Sequence, residues 1–314
     1  MDEENGLPLF VINGFLEAGK TQFLNFTFGQ DYFQTDGKTL LIVCEQGEVD
    51  YKKETLLKTH TVRVDIEDIS ELTVEKMKAM EAAYRPERVI IEWNGVWPQG
   101  EMRIPDGWFL NQQITIIDAS TFDMYLNNMR PLLGQMLKYS ELVICNRADQ
   151  VPEEKLSKYY TQLKAMTQNC EIIFEGAKGE IRGDFNIELP YDINADFIKI
   201  EDDDYGYFYV DTMDRPQRYD GKRVEYVGRI LHPQELGPNA FVPGRMVMTC
   251  CEADTQFLGL IVKYSGASAF QNGDWVKVRG TLKAEENPFY GGTGPIVYAD
   301  EVVRTSPRDK TVGF

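Results

Sequence analysis

Gly14-Phe15-Leu16-Glu17-Ala18-Gly19-Lys20-Thr21 decides the fold. It satisfies G-x-x-x-x-G-K-[ST] at every position. An apolar run, Leu7–Ile12, precedes it, and a helix-like stretch starts at Lys20. Strand, glycine-rich turn and helix in that order build a phosphate cradle. The glycines let the turn close tightly, so that its backbone N–H groups converge on one anion. The helix N-terminus adds partial positive charge. Lys20 then reaches the β- and γ-phosphates, and the Thr21 hydroxyl is offered to Mg²⁺. Ala18 and Gln22 complete the expected nucleotide contacts, with Gly14, Glu17 and Gly19.

Downstream, the sequence alternates buried-strand and helix patterns. Thr39–Cys44, Thr59–Asp65, Arg88–Trp93, Gln113–Asp118, Glu141–Asn146 and Cys170–Gly176 read as strands. Asp68–Tyr84 and Pro152–Gln168 have helical spacing, the latter with Pro152 in its first turn. Continuous apolar strands separated by helices predict an α/β, doubly wound and mostly parallel sheet over residues 1–183. A Pro-, Asn- and acid-rich stretch, 184–204, reads as a linker. From 205 to 314, five short strand-like segments spaced by Gly, Pro and Asn predict a small OB-like β-barrel.

Three further motifs lie at strand ends, where doubly wound sheets bind ligands. Asn146-Arg147-Ala148-Asp149 resembles the N-K-x-D of GTPases. An Asp149 carboxylate can accept both the guanine N1–H and the 2-amino group, a pair adenine lacks. Asn146 is expected to brace the loop, and the planar Arg147 guanidinium to stack on the base. Glu92, closing a central strand, is the candidate to hold a magnesium-bound water or orient the attacking water, and Gly95 to admit backbone near the γ-phosphate. Glu45-Gln46-Gly47-Glu48 has the makings of a switch ordered by Mg²⁺ and γ-phosphate. The expected magnesium set is therefore Thr21, Glu45 and Glu92, and the expected catalytic set Lys20, Thr21 and Glu92.

Of the five cysteines, Cys250 and Cys251 are adjacent, with Asp254 close behind. Thiolates bind Zn²⁺ and other transition metals, but neighbours on a regular strand face opposite ways, so a shared ion requires a bulge or turn. An odd cysteine count suits a reducing compartment. The N-terminus lacks a signal-peptide pattern and no apolar run reaches membrane-spanning length, so a cytoplasmic location is expected. The net charge of −17 is uneven. Beyond Tyr205 acidic and basic side chains number 13 each, so the whole excess belongs to the first 204 residues. Such a surface repels phosphate backbones, and the neutral barrel lacks the basic groove that single-stranded nucleic acid requires, which excludes nucleic acid as the expected partner.

Together, Gly14–Thr21 with Phe23-Leu24-Asn25, Glu45–Glu48, Pro86–Glu92, Ile117-Asp118-Ala119 and Asn146–Asp149 resemble the ordered motifs of CobW-like GTPases. The resemblance implies GTP/GDP and Mg²⁺ as cofactors and a link to metal handling. It departs at Glu17, where the family usually has Gly, and at Cys44, where it usually has Asn. Its C-x-C-C metal motif is expected near residues 60–68, which here contain no cysteine. The C-terminal part, through Tyr219–Gly228, Arg245–Asp254 and Trp275–Thr281, resembles the soluble C-terminal domain of YcgQ-type permease subunits. That implies a metal-related or permease protein partner. A non-enzymatic, nucleotide-responsive scaffold whose OB-like domain binds a protein partner is the alternative, motivated by an acidic Glu17 inside the phosphate loop.

Overall fold

The computed structural model describes residues 6–167, 170–183, 185, 189–248, 255–308 and 311–313. The chain divides into two compact units, 1–156 with 169–184, and 157–168 with 185–314. In chain order the first stretch forms β1 (Leu7–Asn13), α1 (Lys20–Thr27), β2 (Lys38–Val43), α2 (Lys53–Lys58), β3 (Thr61–Asp65), α3 (Val74–Tyr84) and β4 (Pro86–Glu92). It continues with β5 (Trp108–Asp118), α4 (Phe122–Asn128), α5 (Arg130–Leu137), β6 (Leu142–Asn146), α6 (Glu153–Thr167), β7 (Glu171–Gly176) and β8 (Gly179–Glu180).

These strands form one sheet in the order β3-β2-β4-β1-β5-β6-β7-β8, parallel throughout except for the β7–β8 pair. Side-chain alternation divides the apolar residues between its two faces. Leu40 and Ile42 of β2, with Val89 and Ile91 of β4, pack toward Met77 and Met80 of α3. Leu41, Val43 and Ile90 face the other way, toward Leu24 of α1 and Phe28 just after it. Each such fully buried side chain contributes about 1.5–3 kcal/mol, so both faces are needed to hold the central strands. α3 starts where the Thr73 hydroxyl accepts the Lys76 N–H (3.2 Å), and ends at Arg85, which takes left-handed backbone. The doubly wound parallel sheet read from the sequence is thus present.

The second unit contains β9 (Phe197–Lys199), α7 (Tyr205–Asp214), β10 (Arg223–Leu231), β11 (Ala240–Met248), β12 (Thr255–Gly259), β13 (Ile261–Lys263), β14 (Trp275–Asn287) and β15 (Gly292–Arg304). Its strands run β12-β11-β13-β15-β14-β10-β9, and an additional β10–β11 pairing closes β10, β11, β13, β15 and β14 into a five-stranded barrel. β13 and β15 are parallel, and β14 and β15 are antiparallel with a bulge at Arg279/Gly280 that bends the ribbon. Tyr226, Phe241, Val247, Val278, Leu282 and Val297 fill the core with Phe208 of α7.

Two features differ from the sequence reading. The stretch read as a linker supplies β9, which pairs in parallel with β10. Its acidic cluster is not merely solvated, because Asp202 accepts from Arg245 (2.6 Å) and Arg308 (2.9 Å). α7, Tyr-Gly-Tyr-Phe-Tyr-Val-Asp-Thr-Met-Asp, is apolar around most of its circumference and so lacks the polar stripe by which a surface helix is recognised. Among the described residues, no helix is long and apolar enough to cross a membrane.

Candidate nucleotide site

The C-terminal ends of β1, β2, β4, β5, β6 and β7 deliver the predicted residues to one edge of the first sheet. The loop 14–19 runs from β1 into α1, whose N-cap is Gly19 with φ 107°. Lys20 is 3% exposed. Its ammonium donates to the carbonyls of Gly14 (2.7 Å) and Phe15 (3.0 Å) and pairs with the Glu45 carboxylate. The lysine expected to meet phosphate is therefore held by the loop itself and by an acid from the end of β2. A half-open pocket of about 20 Å³ lies at the loop, lined by Leu16, Glu17, Gly19, Thr21 and Arg147.

Glu92 ends β4, in register with Ile12 of β1 and Val43 of β2, and is 2% exposed. One of its oxygens accepts the Thr21 hydroxyl (2.8 Å) and the other the Tyr51 hydroxyl. Burial pushes the Glu92 carboxyl above its usual range, against the lowering pull of these two donors and Lys20. Burial, and next the Glu92 charge, push the Tyr51 phenol far above its usual range, so it stays a donor. Sequence reading did not identify Tyr51. A cleft of about 340 Å³ opens beside Thr21, lined also by Glu45, Asp50, Tyr51 and Arg63.

Glu17 lies in the left-handed region at φ 61°, which explains the glycine expected there. Its carboxylate accepts the Glu48 N–H (2.7 Å), on the Glu45–Glu48 segment. Gly95 approaches the loop backbone instead of an open phosphate position. A Cβ there would stand 2.3 Å from the Gly14 carbonyl oxygen.

On the other side, Asn146 Nδ2 donates to the Ala18 carbonyl at 3.4 Å. The Arg147 guanidinium is engaged by the Asp118 carboxylate and the Glu17 carbonyl (3.0 Å), so it ties strand ends to the loop. Asp149 accepts the Ala177 N–H (3.1 Å) in the turn after β7. Gly176 in that turn abuts Asp149, with a Cβ there falling 2.8 Å from Asp149 Cβ. The sequence signal is the small pair Gly176-Ala177 at the end of the last parallel strand.

Hard oxygen donors at Thr21 and the buried Glu92, next to an anion-binding loop, fit Mg²⁺, which favours oxygen ligands. Cys250, Cys251 and Asp254 lie outside the described residues. Among the described residues no group of three His, Cys, Asp or Glu side chains is placed to hold a metal. Cys44 is buried, its thiol pushed up to about 12 by desolvation and then by the Glu92 and Glu45 charges, which leaves it unreactive.

Residues 178–311 match the DUF1980 C-terminal domain. Solved structures similar to the chain include the hydrogenase maturation factor HypB from Archaeoglobus fulgidus (14% identity, TM-score 0.40, covering 56% of this chain and 84% of that one). Zn(II)-bound YjiA GTPase from E. coli is similar at 15% identity and TM-score 0.43, covering 71% and 72%. HypB from Helicobacter pylori in complex with nickel is similar at 17% and 0.37, covering 56% and 81%. Residues 8–174, more than half of the chain, match the CobW/HypB/UreG nucleotide-binding domain, and with its loop, strand order and strand-end residues as described, the chain belongs to the CobW/HypB/UreG family.

Proposed function

We propose that this chain binds guanine nucleotide with Mg²⁺ at residues 14–22 and hydrolyses GTP, coupling the cycle to metal handling or to a permease partner. The observation that carries this reading is the Thr21 hydroxyl on the buried Glu92 carboxylate, one residue from a buried loop lysine. When bound, Mg²⁺ neutralises charge on the β- and γ-oxygens. Thr21 and Glu92 are the residues that would hold it. Lys20 leaves Glu45 for the phosphates, and with the loop amides it stabilises charge developing as water attacks the γ-phosphorus and the bond to the β-phosphate oxygen breaks. Asp149 reads the guanine N1–H and amino group, and the Ala177 turn fixes that carboxylate.

The segment carrying Glu45 and Glu48 has two differently built ends. Its near end is held by the Lys20–Glu45 pair, which arriving phosphate displaces, and by the Glu17 carboxylate on the Glu48 N–H. Its far end, Asp50–Lys52, is bonded to Asn25 of α1 through the Asp50 carbonyl and the Lys52 N–H (3.1 Å each). A nucleotide-driven rearrangement is thereby confined to residues 45–49. The similar structures include a Zn(II)-bound YjiA GTPase and a HypB in complex with nickel. The scaffold alternative drew on Glu17 facing phosphate. Its carboxylate bonds the Glu48 amide, so that motive is weakened.

Titration calorimetry of GTP, GDP and ATP with Mg²⁺ tests the proposal, on the wild type and Asp149→Asn, with metal content measured on the same protein. GTP and GDP binding well above ATP, with selectivity lost in the variant, is the expected result. Equal affinity for ATP and GTP, or no binding, refutes it.

A further inference from the structure

We propose that Tyr51 is a positioning residue for the magnesium site, its hydroxyl fixing the Glu92 carboxylate and joining that carboxylate to the end of the Glu45–Glu48 segment. The inference rests on the nucleotide reading above and adds a residue that the loop motifs do not contain.

Tyr51 is 5% exposed, and its hydroxyl donates to the Glu92 oxygen that Thr21 does not use. A carboxylate offers about four lone-pair positions on its two oxygens. With one donor on each oxygen, its rotation is fixed while an acceptor position remains on both. The Tyr51 ring is itself held on two sides. Phe28, just after α1, packs against it at 6.4 Å between centroids, and the Arg63 guanidinium of β3 lies 5.4 Å over its face. The backbone around it is fixed by the two Asn25 bonds and by the Asp50 side chain, which accepts the Tyr51 N–H (2.8 Å) and pairs with Arg63. Three elements, α1, β3 and β4, thus converge with the loop before α2 on one hydroxyl and one carboxylate. A tyrosine needed only for packing requires none of the polar half of this arrangement, since its ring alone fills the space.

Groups that orient metal-binding side chains change metal affinity by about 10- to 100-fold when removed. Tyr51→Phe keeps the ring contacts and deletes only the hydroxyl. The test is the dissociation constant of a non-hydrolysable GTP analogue, measured by calorimetry with Mg²⁺ and again with EDTA. The wild type is expected to bind more tightly with Mg²⁺. Tyr51→Phe is expected to lose about 10- to 100-fold of that enhancement while its EDTA value stays within about twofold, which also shows the variant is folded. Asn25→Ala, which keeps the hydroxyl but frees its backbone, is expected to lose a smaller part. An unchanged Mg²⁺ enhancement in Tyr51→Phe overturns the proposal, and so does an equal loss in both conditions, the mark of a purely structural role. A wild type that binds no analogue, or binds it equally with and without Mg²⁺, overturns the underlying nucleotide reading, and this inference with it.

Discussion

Lys20→Ala is expected to destabilise the nucleotide-free protein through an ion pair rather than through lost packing. Lys20 is 3% exposed and its partner Glu45 10%. Truncation leaves the Glu45 carboxylate without its counter-charge and the Gly14 and Phe15 carbonyls without their donor. Breaking one side of a buried pair costs about 3–5 kcal/mol. Glu45 keeps a path to solvent, and water can enter the vacated side-chain volume, so the lower end, about 3 kcal/mol, is expected. Glu45→Ala leaves the ammonium two carbonyl acceptors and is expected to cost less, about 1–2 kcal/mol. The double variant buries neither charge alone, so the cycle should show a coupling of about 2 kcal/mol. Urea unfolding followed by tryptophan fluorescence measures this. Trp93, Trp97 and Trp108 belong to the first unit and only Trp275 to the second, so the signal reports mainly the unit of interest. A coupling below about 0.5 kcal/mol, the scatter expected of independent sites, would show that the pair does not hold the empty loop.

Glu92→Gln should separate stability from function. The folded Glu92 carboxyl titrates above its ordinary 4.5, so its burial penalty is absent below that pH and grows as pH rises through the folded value. The variant's urea midpoint should therefore gain on the wild type from pH 4.5 toward 7, while Mg²⁺-dependent nucleotide binding falls; a gain that shrinks with rising pH contradicts the sign. Gly95→Ala drives a methyl group into the loop backbone and should cost about 1–3 kcal/mol together with nucleotide affinity. Wild-type thermal stability and nucleotide affinity in that variant would place the loop farther from Gly95. Gly176→Ala displaces Asp149 but leaves the phosphate loop, so it should reduce the preference for GTP over ATP with little change in ATP affinity; retained selectivity in competition binding would dissociate Asp149 from base reading.

The longer strands of both units are legible because each has a strong local signature. Leu7–Ile12, Arg88–Trp93 and Glu141–Asn146 are apolar runs between turn signals, and the observed β1, β4 and β6 differ from them by no more than two residues at either end. The five barrel strands were legible for the same reason, though the third is divided into β12 and β13 at Leu260. Short helices were not. α2 spans only Lys53–Lys58, and α4 and α5 are separated by a break at Met129, so neither repeats its pattern long enough to show a period. β9 has three residues and takes its place in the sheet only by pairing with β10.

At the nucleotide site, residue identity was legible and pairing was not. A motif specifies what Lys20, Glu45, Glu17 and Arg147 can bind, because charge and geometry are properties of the side chain. It does not specify what they bind when phosphate is absent, since a buried charge takes the nearest opposite charge that the fold supplies. Lys20 takes Glu45 from 25 residues away, and Arg147 takes Asp118 from 29. Tyr51 was hidden for a related reason. Its neighbours in sequence, Asp50 and Lys52, are surface residues, and its hydroxyl acquires a partner only because α1 and β3 close over its ring and direct it to the end of β4. Recognition of the family therefore rests on motifs spread over residues 8–174. In the reading proposed above, the magnesium site depends on a tyrosine whose partner exists only in the folded arrangement, and the Tyr51→Phe comparison with and without Mg²⁺ tests that role directly.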